Sequence, residues 1–201
     1  MARVLFIDNF DSFTYNLVDE FETLGHAVTV TRNNVALSEL IRLSDIHDLI
    51  LLSPGPGNPQ SAGNCLTLLD HLMGKKPIMG ICLGHQLLVE HQGGRVVKAP
   101  LPVHGKFAQV EHNNNKCFSG LNNPLSVGRY HSLVVEKVPE NFQVLASVND
   151  LVMSVYDEKN KLLGFQFHPE SILTLQGKKL IQQSIDLLLN NNTEYQVEAL
   201  V

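Results

Sequence analysis

The sequence predicts an α/β fold: a mostly parallel central sheet flanked by helices, with a smaller antiparallel sheet in the second half. Three observations predict it. Apolar runs of strand length alternate with helical patterns over the first hundred residues. Turn signals crowd together after about residue 95. Between them, Pro77–Gln86 (PIMGICLGHQ) reads as an apolar strand turning sharply into a helix at a cysteine held between two glycines.

Taken in order, the predicted strands of the first half are RVLFID (3–8), AVTVTR (27–32), DLILLS (48–53) and PIMGIC (77–82), followed by RVVK (95–98). Helical patterns fill 12–24, 37–43, 62–73 and 84–92. This β-α-β-α rhythm is that of a parallel sheet covered on both faces. The second half then runs through FAQVEH, LSVGRY, LVVEKV, QVLASV, LVMSVYD and LLGFQFH, separated by Asn122-Asn123-Pro124, Pro139-Glu140-Asn141 and Glu158-Lys159-Asn160, so it should be mostly antiparallel. Asn113–Asn115 reads as a hairpin tip. A last helix is predicted over 173–189, with Leu180, Ile181, Ile185, Leu188 and Leu189 at helical spacing, and a tail of 190–201 follows it. The 201 residues read as a single domain, 1–201, with its core over about 3–189.

Composition narrows the function. A formal charge of −5 with no basic block gives nothing to attract a phosphate backbone, so nucleic acid is not an expected partner. The start MARVLFIDNF enters a strand without a charged leader, and no apolar run approaches the roughly 20 residues of a membrane span, so a cytoplasmic protein is expected. Three cysteines, Cys65, Cys82 and Cys117, make an odd number without C-x-x-C spacing, which supports neither a disulfide framework nor a zinc knuckle.

In open α/β sheets ligands bind at the carboxyl ends of the strands, so candidate chemistry is sought there. Gly80, Cys82 and Gly84 form G-x-C-x-G, the thiol version of a nucleophile elbow. Cys82 precedes the helix LGHQLLVEH, and a helix N-terminus favours the nucleophilic thiolate. The plainer alternative is a buried packing cysteine, the role assigned to Cys65 and Cys117. His168 and Glu170 end the apolar stretch FQFHPES two residues apart. On an extended segment they share a side, so the carboxylate can orient an imidazole whose other nitrogen faces a thiol. An ordinary surface ion pair is the alternative there. The loop LLSPGPGNP (51–59) offers a glycine-lined approach in which the amides of Gly55 and Leu83 would converge on an oxyanion; a plain proline–glycine turn is the competing reading. His85 and His91 stand at i and i+6, on different faces and off metal-ligand spacing, so no metal site is expected. Asp8 and Asp11 lack the third-strand aspartate of a phosphoacceptor site, and Asp11 with Thr14 reads as a helix cap.

The combination of GICLGHQ, SPGPGNP and FHPES closely resembles the class I (triad) glutamine amidotransferases. More narrowly, DNFDSFTYNL, HGK (104–106), RYHSL (129–133) and FHPESILT resemble the glutaminase subunits of two chorismate-using enzymes, anthranilate synthase and aminodeoxychorismate synthase. The resemblance implies the flavodoxin-like version of the fold and an enzyme that hydrolyses glutamine through a γ-glutamyl thioester. Cys82 would be the nucleophile, His168 the base and then acid, and Glu170 the orienting group. Gly55 and Leu83 would hold the oxyanion, and Gly55, Pro56, Gly57, Gln86, Ser132 and Leu133 would bind glutamine. The partner it implies is anthranilate synthase component I, a chorismate-binding subunit that carries Mg²⁺, while this chain needs no cofactor of its own. Tryptophan biosynthesis is the expected pathway; folate biosynthesis, use by both, or a stand-alone cysteine hydrolase are the alternatives.

Overall fold

The structure, a computed structural model, describes residues 1–100 and 105–189; His104 of the HGK run and the tail 190–201 lie outside them. Strands β1 (Arg3–Asp8), β2 (Ala27–Arg32), β3 (Leu49–Leu52) and β4 (Ile78–Ile81) alternate with helices α1 (Thr14–Thr23), α2 (Leu37–Asp45), α3 (Cys65–Leu72) and α4 (Leu83–His91). These elements fall within a few residues of where periodicity places them. The second half contributes β5 (Arg95–Lys98), β6 (Lys106–His112), β7 (Leu125–Arg129), β8 (Leu133–Lys137), β9 (Gln143–Val148), β10 (Leu151–Asp157), β11 (Leu162–Phe165) and the closing helix α5 (Gly177–Leu189).

One nine-stranded sheet runs β2-β1-β3-β4-β11-β10-β9-β6-β7, and β5 pairs with β8 in a separate antiparallel ribbon. The strands β2, β1, β3, β4 and β11 are parallel neighbours; beyond β11 the pairing is antiparallel. The expected fold class holds, with two refinements. Arg95–Lys98 does not take the fifth parallel position, because its half-exposed residues with charged ends suit a surface ribbon rather than a strand buried on both faces. That position goes to β11, whose Leu162-Leu163-Gly164-Phe165 is buried throughout. Asn113–Asn115 opens a long connection from β6 to β7 through a short 3-10 turn, not a tight hairpin tip.

Side-chain alternation on the parallel strands builds two cores. Val4, Phe6, Leu49, Leu51, Met79 and Ile81 point to one face, where Leu17 and Phe21 of α1 and Leu180, Ile181 and Ile185 of α5 cover them. Leu5, Ile7, Ile50, Leu52 and Ile78 point to the other, against Leu40 of α2, Leu68 and Leu69 of α3, and Leu87 and Leu88 of α4. Each fully buried aliphatic or aromatic side chain contributes about 1.5–3 kcal/mol. The carboxyl ends of β1, β3, β4 and β11 are thereby fixed side by side, and the site forms there.

Candidate active site

The elbow is a consequence of close backbone packing. Cys82 stands between β4 and α4 with φ 53° and ψ −102°, a conformation that costs a non-glycine residue about 1–3 kcal/mol. A Cβ on Gly84 would lie 2.1 Å from the Leu52 carbonyl oxygen, and one on Gly80 would lie 2.4 Å from the Gly84 carbonyl, so only glycines let the strand end and helix start pack this closely. The Cys82 amide donates to the Phe165 carbonyl at 2.7 Å, tying the elbow to the neighbouring β11. Leu83, the first residue of α4, has no intrahelical acceptor for its N–H.

The chain leaving β11 brings up the histidine. His168 is held by its backbone to Gly128 and by Thr174, whose hydroxyl donates to the His168 carbonyl at 2.7 Å. Its Nδ1 donates to Glu170 Oε1 at 2.6 Å, and both side chains are buried. Glu170 arrives through a turn rather than along the extended segment read from the sequence, since His168 to Ser171 closes a backbone hydrogen bond. Burial opposes charge on the imidazole, but Cys82 and Glu170 outweigh it and hold His168 well above its ordinary pKa. The second ring nitrogen, Nε2, is buried without an oxygen or nitrogen partner.

Cys82 separates two cavities. One, of about 190 Å³, is lined by Gly55, Pro56, Gly57, Leu83, Gln86 and the run Tyr130–Leu133. All the residues assigned to the glutamine and oxyanion sites therefore line one space. Gln86 is buried, donating to Gln166 Oε1 at 3.0 Å and more weakly to the Leu133 carbonyl at 3.4 Å. The other cavity, of about 380 Å³, is lined by Phe10–Phe13, Pro54, Gly55, Pro56, Tyr130 and His168.

Several site residues escape sequence reasoning. Tyr130 lines both cavities and packs edge-on against His168, ring centroids 5.0 Å apart. Gln166 donates toward Cys82 Sγ at 3.8 Å, and its place two residues before His168 is the signal that could have found it. Asn9 ties the loop bases together: its amide N–H donates to Ser53 Oγ and its side chain to the Ser53 carbonyl, both at 2.8 Å. Thr14 donates to Asp8 rather than Asp11, whose carboxylate instead accepts from the Phe13 N–H at 2.8 Å. Cys65 and Cys117 are buried and pushed up to about 12 by that burial, as packing thiols should be. His85 is also buried beneath the elbow, and burial, with a smaller repulsion from His131, lowers it to about 3. Among the described residues no three His, Cys, Asp or Glu side chains are placed to hold a metal ion, and no helix is long and apolar enough to cross a membrane.

Comparison with known proteins places this geometry in a family. Residues 5–187 match the model of glutamine amidotransferase class-I. The chain is 49% identical over 192 residues to the anthranilate synthase component 2 of Haemophilus influenzae, covering 94% of this chain and 100% of that one. It is 43% identical to the component of the same name from Helicobacter pylori, covering 92% and 97%. Among solved structures, a GMP synthase-like chain of Thermoplasma acidophilum superposes with a TM-score of 0.83 at 27% identity over 95% of this chain and 96% of that one. A glutamine amidotransferase of Thermotoga maritima shares the fold at TM-score 0.73 and 17% identity, over 93% and 97%. With a family match over nearly its whole length and relatives alike from end to end, the chain belongs to the class-I glutamine amidotransferases.

Proposed function

We propose that this chain hydrolyses glutamine to glutamate and ammonia and delivers the ammonia to a chorismate-binding synthase subunit, which makes anthranilate for tryptophan biosynthesis. The observation that carries the pathway is the end-to-end similarity to proteins named anthranilate synthase component 2. That name also argues for a component I as the partner, and against the sister reading in folate biosynthesis.

The placement of the residues supports the chemistry that the family resemblance implies for them. The Cys82 thiolate attacks the side-chain amide carbon of a glutamine held by Gly55–Gly57, Gln86, Ser132 and Leu133. The Gly55 and Leu83 N–H groups receive the oxyanion; preorganised donors of this kind are worth about 10²–10³ in rate each. His168, with Nδ1 committed to Glu170, has only Nε2 left to take the thiol proton and hand it to the departing nitrogen. As the C–N bond breaks, its electron pair stays on nitrogen, the proton comes from His168, and neutral ammonia leaves a thioester. Water, deprotonated by the same imidazole, then releases glutamate.

Ammonia free in neutral water becomes ammonium and loses its nucleophilicity, so a glutaminase that feeds a synthesis needs its acceptor attached. Magnesium is assigned to the synthase partner in this reading, and a cytoplasmic location is part of the same reading. The test is glutamate release by the purified chain, alone and with each chorismate-binding partner, while anthranilate fluorescence is followed. Anthranilate formation from glutamine with the anthranilate synthase partner is the expected result. Activation only by the aminodeoxychorismate partner would move the chain to folate synthesis.

A further inference from the structure

Between Gln86 and the sulfur stands a buried residue to which the reaction as described gives no part. On the stretch leaving β11, Phe165 and Phe167 join the core, whereas Gln166 and His168 both reach Cys82. Gln166 is wholly buried, and its backbone N–H donates to the Met153 carbonyl at 2.9 Å, which fixes where its side chain starts. The side chain then makes two contacts. Its Oε1 accepts from Gln86 Nε2 at 3.0 Å, and its Nε2 donates toward Cys82 Sγ at 3.8 Å.

The direction of these contacts is set at their far end, by the Leu133 carbonyl, which can only accept. It accepts from His131 Nδ1 at 2.9 Å, and His131 Nε2 in turn accepts from the Arg129 guanidinium Nε at 3.0 Å. A guanidinium has donors only, so it fixes the imidazole proton on Nδ1. Gln86 approaches the same carbonyl at 3.4 Å and must turn its amide nitrogen to it. With one N–H toward Leu133 and the other on Gln166, the Gln86 amide has only its oxygen left for the glutamine cavity that it lines. Gln166 must then present its oxygen to Gln86 and its nitrogen to the sulfur. Reversing either amide would set like atoms against each other.

We infer that Gln166 is a positioning residue that couples glutamine recognition to the nucleophile: it locks the Gln86 amide with its oxygen toward the substrate and steadies the Cys82 thiolate with its own N–H. The inference rests on the glutaminase reading and names what sets the polarity of its substrate site. A substrate that turns an N–H toward Gln86 is held. One that turns an oxygen there leaves two acceptors face to face.

Glutamine protection of Cys82 reads binding at the sulfur itself. Iodoacetamide alkylates Cys82 as the sulfur displaces iodide, the Cys82 peptide of the full chain is followed by mass spectrometry, and glutamine slows the reaction as it fills the cavity. Glutamate release, measured beside it, gives kcat. Gln166→Met, which neither accepts from Gln86 nor donates to the sulfur, should weaken protection about tenfold and lower kcat. Gln166→Glu still accepts from Gln86 but has no donor when ionised, so protection should hold within about twofold while kcat falls about tenfold. In the double variant Gln86→Met with Gln166→Met, protection should be no weaker than in Gln86→Met, because the two residues share one contact. Additive losses, or protection weakened equally in Gln166→Glu and Gln166→Met, would make Gln166 a packing residue and overturn the inference. An unchanged kcat in Gln166→Glu would overturn its role toward the sulfur. If Gln166→Met does not fold, Gln166→Glu is set against Gln86→Met, and equal weakening of protection overturns the inference in the same way. An unsubstituted chain whose Cys82 glutamine does not protect, and which releases no glutamate alone or with a synthase partner, would instead overturn the glutaminase reading.

Discussion

His85 and His168 are both buried, one three residues past the nucleophile and the other just beyond the strand beside it, yet the protein drives them in opposite directions. His85 lies under the elbow with neither ring nitrogen hydrogen-bonded, and burial, helped a little by His131, drops it to about 3. His168 pays the same desolvation but has Glu170 on one nitrogen and the Cys82 sulfur on its other side, and it ends well above its ordinary value. Burial by itself makes an imidazole a neutral spacer; burial with opposite charges makes it a base. The cysteines repeat the lesson, since Cys65 and Cys117 are buried without a base and Cys82 is set against one.

The strongest way to break this contrast is to remove the sulfur. Cys82→Ser should cut glutamine-dependent synthesis by at least about 10⁴-fold, because a serine hydroxyl beside an imidazole tuned for a thiol is a far poorer nucleophile. Ammonia-dependent synthesis by the partner should continue. Loss of both activities in the same assay would mean that Cys82 holds the assembly together. Next comes Glu170→Gln, which keeps the shape and removes the charge; glutamate release should fall about 10²- to 10³-fold, and the alkaline limb of its pH profile should move to lower pH. An unmoved profile would make Glu170 a packing residue.

The elbow itself supplies the third test. Gly84→Ala drives a Cβ into the Leu52 carbonyl and should cost at least about 3 kcal/mol in urea unfolding, whereas Gly93→Ala, with open space around it and φ 86°, should cost about 1 kcal/mol. Equal costs would show that the strand–helix contact has slack.

This difference also explains what is legible in the sequence. The elbow is local: a strand, a cysteine and two glycines within five residues specify it, and β1–β4 follow from short periodic runs. The cavities are not local. Tyr130, Gln166 and the Phe10–Phe13 loop meet because β11 enters the sheet beside β4, some 80 residues from it in the chain, and no periodicity names the neighbour a wholly apolar strand will choose. The β5–β8 ribbon is hidden for the same reason. His168 with Glu170 is readable as a pair, but the turn that joins them depends on Thr174 and Gly128, which carry no chemistry of their own.

The smallest effect tests the spectator. Because His85 is lowered in the folded chain and ordinary in the unfolded one, the unfolded state binds a proton that the folded state refuses. Its stabilising contribution is therefore fully present above pH 6.5 and is lost as pH falls toward 3, on the order of 3 kcal/mol by pH 4. Chemical denaturation between pH 7 and pH 4 should show a slope that His85→Leu flattens, while Cys82→Ser leaves that part of the slope in place. If His85→Leu unfolds with the same acid limb as the unsubstituted chain, some other group governs it, and the contrast between the two histidines would hold for the active site without reaching the stability of the fold.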